Sequence, residues 1–95
     1  MEVIYFQNSG WVLLKDNESE LYLDVNCSYS AFSYEMLIRL NDTEKLNYLE
    51  NGLPYIDSLA SEVQYHGMTI YKDRNISSVL GSKSYEAIMD WKRNH

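Results

Sequence analysis

The amino-acid sequence predicts an α+β fold: a mostly antiparallel sheet of four to five strands with helices packed on one face. Apolar and polar residues alternate in the first forty residues, which is typical of strands with one buried face. The periodicity becomes helical after residue 40. Neither a linker nor a repeat interrupts the 95 residues, so a single domain over residues 1–95 is expected, in the order ββββααβα.

The first two predicted strands are short apolar runs, Val3–Gln7 and Trp11–Lys15. The turn-forming sequence Asn-Ser-Gly at residues 8–10 separates them, because these residues favour turn geometry and Gly accepts a positive φ. A second turn is predicted over Asp16–Ser19. The first forty residues therefore read as a meander of up to four antiparallel strands.

The clearest alternation lies between residues 20 and 40. The third predicted strand carries Leu21, Leu23, Val25 and Cys27 on one side and Tyr22, Asp24, Asn26 and Ser28 on the other. After a break at residues 28–30, the fourth carries Phe32, Tyr34, Met36, Ile38 and Leu40 on its apolar side. Two such strands joined by a short polar link predict an antiparallel hairpin whose polar side faces solvent.

A helix is predicted to begin after Asn41, whose side chain can cap it while Glu44 reaches back to the cap amide. Leu46 and Leu49 continue the predicted apolar side, and Gly52 is a suitable helix end. Whether residues 42–66 form one kinked helix or two is left open by the sequence. A break is favoured.

The second helix is predicted to start at Pro54 and to end at Gly67. Its buried stripe is formed by Ile56, Leu59, Ala60 and Val63. Met68–Tyr71 is a candidate fifth strand. A last helix is predicted with Ser82 as its cap, burying some combination of Tyr85, Ile88, Met89 and Trp91.

Charge is distributed unevenly along the chain. The first 62 residues carry eleven carboxylates and three basic side chains, a charge of −8, whereas the last 33 carry five bases and three acids, a charge of +2. A net charge of −6 repels nucleic acid and anionic membranes and favours a basic partner. With no visible signal peptide and no apolar run of the ~20 residues that span a bilayer, a cytoplasmic location is expected.

Residues with catalytic or metal-binding potential are few. Cys27 lies in an apolar strand register and His66 at a helix end, so neither predicts nucleophilic or general-base chemistry. Zinc, calcium and phosphate-loop spacings are missing, and no cofactor is expected. Asp24 and Glu35 are expected to be near neighbours on facing strands, and they are interpreted as a solvated surface. The chain is therefore predicted not to be an enzyme.

The polar side of the hairpin is the predicted partner-binding surface. It comprises Glu18, Glu20, Tyr22, Asp24, Asn26 and Glu35, with Arg39 beside them. In size, charge and architecture the chain resembles small acidic bacterial immunity proteins of the contact-dependent growth inhibition type, most of all over Leu21–Ser28 and Phe32–Glu62. The resemblance implies that the acidic surface neutralises a basic toxin domain, frequently a nuclease, and it assigns no individual residue.

Two other hypotheses fit the same sequence. One is a phage- or plasmid-type accessory or adaptor protein that binds a host nucleic-acid enzyme. The other is a self-associating structural domain, such as a homodimer, with Trp11, Phe6 or Trp91 at the subunit interface. Acidic surfaces and exposed aromatic anchors suit protein partners in all three cases.

Overall fold

The computed structural model describes residues 1–7, 10–29 and 32–94, without the side chains of residues 28, 29 and 32. Its strands are β1 (Glu2–Gln7), β2 (Trp11–Lys15), β3 (Leu21–Tyr29) and β4 (Phe32–Arg39), which form one antiparallel sheet in the order β1-β2-β3-β4. Its helices are α1 (Asp42–Asn51), α2 (Leu53–His66) and α3 (Ser77–Asn94). The α+β class and the antiparallel sheet are confirmed. Within the predicted turns, Asn8, Ser9 and Ser30 lie outside the described residues.

Helices cover both faces of the sheet, which corrects the prediction of helices on one face. The α2 side buries Trp11, Leu13, Leu23, Val25, Cys27, Met36 and Ile38 together with the stripe predicted for α2, Ile56, Leu59, Ala60 and Val63. The α3 side buries Val12, Leu14, Tyr22, Leu37 and Ala87. Because β2 is apolar on both registers, burying only one side of the sheet would leave half of its side chains in water.

A β-bulge at Ile4 adapts β1 to these two covered faces. Val3 pairs with Leu14, whereas Tyr5 pairs with Leu13, so the extra residue lies between them. Strict alternation would place Val3 and Phe6 on opposite faces of the sheet. With the bulge, both pack into the cluster on the α3 side.

The first two helices are separate, as the sequence favoured. The predicted capping box closes α1: Glu44 N donates to Asn41 Oδ1 and Asn41 N donates to Glu44 Oε1, each at 2.8 Å. Gly52 then takes φ 73°, a conformation that L side chains rarely adopt, and the chain turns into α2. The predicted apolar side of α1 is wrong, since Leu46 and Leu49 are exposed.

The predicted fifth strand, Met68–Tyr71, is wrong, because these residues form turns that fold back on the end of α2. Tyr71 N donates to His66 O at 3.2 Å, and Tyr71 OH donates to Glu62 Oε2 at 2.9 Å. Burial of the Tyr71 ring on the α2 side stabilises this arrangement. At the outer edge of β4, no fifth strand pairs among the described residues, and Ile76 N donates to Leu37 O at 2.8 Å.

Helix α3 begins five residues before the predicted cap, Ser82. Asn75 Oδ1 accepts from Ser77 N at 3.1 Å, which satisfies one of the free amides of the first turn. Ser84 and Ala87 are its most buried residues, with Ile88 and Trp91 half-buried. The other two predicted core residues, Tyr85 and Met89, are exposed.

Gly81 lies inside α3 without a structural need for glycine. A Cβ at this position would meet only Ser77 Cβ, at 3.8 Å. We therefore expect Gly81→Ala to raise the free energy of unfolding by about 0.5–1 kcal/mol, because glycine loses more backbone entropy in a helix than alanine. Urea denaturation measures the change. Gly52→Ala is the matched control and should be destabilising at its positive φ; a loss of stability in Gly81→Ala would contradict the prediction.

Candidate acidic cleft

The six predicted partner-binding residues do not form one surface. Asp24, Asn26 and Glu35 lie together between the sheet and α3. Glu18 and Tyr22 line a neighbouring depression of about 250 Å³. Glu20 adjoins this depression, because its backbone amide donates to Asp16 Oδ1, while its carboxylate forms an ion pair of 3.3 Å with Lys45 of α1. The structure thus divides the predicted surface between two places, and it brings the carboxyl groups of Asp24 and Glu35 within hydrogen-bonding reach of each other.

Tyr22 was predicted to be exposed, and this is wrong. Its ring is 5% exposed because α3 covers this side of the sheet. Its hydroxyl donates to Asp16 Oδ2 at 2.8 Å, and that carboxylate also accepts from the backbone amides of Glu18 and Glu20. Burial, with the hydrogen bond to Asp16 next in importance, raises the pKa of Tyr22 to about 12. Tyr22 is therefore a neutral packing residue that anchors the turn after β2.

Asp24 and Glu35 are near neighbours, as predicted from their registers. Asp24 pairs with Leu37 and Asn26 pairs with Glu35, so the two carboxyl groups lie diagonally on one face of the sheet. Asp24 is only 8% exposed, which corrects its predicted exposure, while Glu35 is exposed. Burial, followed by the charge of Glu35 and a hydrogen bond to it, raises the pKa of Asp24 to about 7. Near neutral pH, Asp24 therefore carries its proton in a large fraction of the molecules.

The pair opens into a cleft of about 200 Å³, here called the acidic cleft, whose lining includes Asp24, Asn26, Glu35, Phe6 and Lys92. Lys92 Nζ lies 5.4 Å from the centroid of the Phe6 ring, in cation–π contact. The chain therefore already holds one cationic group beside the two carboxyl groups. The two carboxyl groups favour a cation in the cleft, whereas Lys92 lowers the net negative charge there.

Phe6 and Lys92 were not predicted to belong to this site. They come from β1 and α3, at opposite ends of the chain, and the bulge in β1 is what turns Phe6 toward α3. Phe6 also stacks on Trp91, with ring centroids 4.8 Å apart. The one available signal was the uninterrupted apolar run of β2, which indicates that a second layer covers the polar side of the hairpin.

Cys27 and Trp11, two further candidate functional residues from the sequence, are buried in the core. Cys27 is 2% exposed, and burial raises the pKa of its thiol, which opposes a role as nucleophile. Trp11 is also buried, and its Nε1 donates to Asp57 Oδ1 at 3.0 Å, so it is not the exposed interface anchor predicted for a self-associating domain. Within residues 1–7, 10–29 and 32–94, no group of three or more potential metal ligands occurs.

No known protein family, curated protein or solved structure matches the chain. In the described part of the chain, no helix combines the length and the apolar character needed to cross a membrane. The acidic cleft and the overall charge are the features from which a function can be inferred.

Proposed function

We propose that the chain is a non-enzymatic inhibitor that binds a basic protein, in the manner of the immunity proteins that it resembles. The observation that carries this proposal is the Asp24–Glu35 pair at the base of the acidic cleft. Ionising a buried carboxyl group beside another acid is unfavourable, and a cation placed against the pair lowers that cost. A Lys or Arg side chain of the partner is the group that supplies such a cation.

The size of the cleft favours one inserted side chain over a whole substrate. Its volume of about 200 Å³ is below the range of about 300–1,000 Å³ that is common for small-molecule sites. Asn26 and Glu35 lie at its exposed side, where they can contact the partner around the inserted residue. The net charge of −6 adds long-range attraction, which accelerates encounter with a basic protein and weakens as salt is added.

The proposal is tested by sequencing the genes beside that of the chain, co-expressing the chain with any basic toxin domain encoded there, and measuring survival and complex formation. We expect rescue and a one-to-one, salt-sensitive complex. The double variant Asp24→Asn/Glu35→Gln should bind at least about thirtyfold more weakly, because the inserted cation would lose its charged partners. Glu50→Gln is the matched control, since this carboxylate is exposed on α1, away from the cleft.

Two outcomes would contradict the proposal at different levels. A chain that neither rescues growth nor forms a complex is not the inhibitor of that toxin. A double variant that binds as tightly as the native chain shows that the inhibitor uses another surface. Thermal unfolding of both variants separates loss of binding from loss of folding.

A further inference from the structure

A second cleft lies where β4 ends and α3 begins, and the proposed function does not use it. Its volume is about 390 Å³, which lies within the range of small-molecule sites. Arg39, the last residue of β4, and Asp73, in the 3-10 turn Lys72–Arg74, line it. The apolar part of its lining comes from the ring of Tyr22, from Ile76 just before α3, and from Val79 and Leu80 near the start of α3.

Two opposite charges in this cleft are available to a ligand. Within residues 1–7, 10–29 and 32–94, the exposed side chains of Arg39 and Asp73 take part in no ion pair. Arg74, which also lines the cleft, is different: its guanidinium donates to both carboxylate oxygens of Glu44, at 2.9 and 2.6 Å. The charge of Arg74 is therefore matched inside the protein, and among the described residues that line the cleft Arg39 is the cation without an ion pair.

The apolar residues of the cleft stay partly in water. Val79 is 74% exposed, and Ile76 and Leu80 are half-buried. Burying such surface under an aliphatic group contributes roughly 25 cal/mol per Å². A ligand that matches the cleft thus combines a negative group, a positive group and a short aliphatic part.

We propose that this cleft binds a free α-amino acid with an aliphatic side chain. The carboxylate of the ligand accepts from the planar guanidinium of Arg39, which can hold both oxygens. The ammonium group pairs with Asp73, and the side chain covers Ile76, Val79 and Leu80. The site is independent of the acidic cleft, so it does not depend on the proposed function.

The test is an NMR titration of the full chain with leucine and with two analogues, 4-methylpentanoate, which lacks the ammonium group, and 3-methylbutylamine, which lacks the carboxylate. We expect saturable shifts with leucine, confined to Arg39 and residues 73–80, at roughly millimolar affinity or tighter. Arg39→Gln should weaken leucine binding at least about tenfold, because it removes a charge-assisted contact. Asp73→Asn should reduce leucine binding to the level of 4-methylpentanoate.

Lys72→Gln is the control, since Lys72 is an exposed residue beside Asp73 and should leave leucine binding unchanged. Absence of saturable shifts up to about 20 mM leucine would overturn the proposal, given the expected affinity. Binding of 3-methylbutylamine as tight as that of leucine would also overturn the proposal. The same holds if Arg39→Gln binds leucine as tightly as the native chain. Binding of 4-methylpentanoate as tight as that of leucine would show that Asp73 does not contribute to binding, and it would overturn the assignment to an amino acid.

Discussion

Replacing Asp24 with Asn is expected to stabilise the protein increasingly as pH rises from about 4 to about 7. The pKa of Asp24 is about 7 in the folded chain, against an ordinary value of 3.8, because the carboxyl group is buried beside Glu35. Between these two values the folded state holds a proton that the unfolded state releases, so stability falls as pH rises through this window. At 1.36 kcal/mol per pKa unit, the loss approaches about 4 kcal/mol at pH 8.

Chemical denaturation of the native chain and of Asp24→Asn at pH 4, 6 and 8 measures this effect. We expect similar free energies of unfolding at pH 4 and an advantage of about 2–4 kcal/mol for the variant at pH 8. Glu50→Gln, which changes an exposed carboxylate, should follow the native chain at every pH. A difference between Asp24→Asn and the native chain that does not vary with pH would show that Asp24 ionises normally.

The second large effect is expected at the ion pair between Arg74 and Glu44. Arg74 donates to both oxygens of Glu44 and, through Nη2, to Arg39 O at 2.8 Å, so it joins α1 to the end of β4. The Glu44 side chain is 10% exposed and that of Arg74 is 31% exposed. Arg74→Met leaves Glu44 charged and largely buried, and it should lower the free energy of unfolding by about 2–4 kcal/mol.

Urea denaturation of two further variants identifies the cause. Arg74→Met/Glu44→Gln should recover a large part of the loss, because most of the cost comes from an unpaired buried charge. Arg93→Met removes an exposed ion pair with Asp90 and should leave stability nearly unchanged. Equal losses in the single and double variants would show that the Glu44 charge is adequately solvated.

Local patterns in the sequence predicted much of the fold. The capping box at Asn41 and Glu44 and the buried stripe of α2 depend on residues a few positions apart, and the structure contains both. The alternation of β3 and β4 also predicted which carboxyl groups would be neighbours. These features follow from backbone geometry within single elements or adjacent strands.

Features that depend on a distant element were not predicted. Alternation identifies two sides of a strand, but it does not say whether a helix from the other end of the chain covers the polar side. The buried stripe of α3 centres on Ser84 and Ala87, small residues that add little to an apolar pattern but let a helix approach a sheet closely. Tyr22 and Asp24 were therefore placed in solvent, and the contribution of Lys92 to the acidic cleft was missed.

The neighbour-to-neighbour strand order has a consequence for the folding rate. Each strand after β1 pairs with the one before it in the chain, so each pairing closes a short loop and the sheet can form hairpin by hairpin. In the described part of the chain, the docking of α3 on β1 joins the N-terminal and C-terminal elements. A sheet built from pairings between consecutive strands should assemble fast, and docking of the C-terminal helix on the first strand should be the late step that completes both clefts.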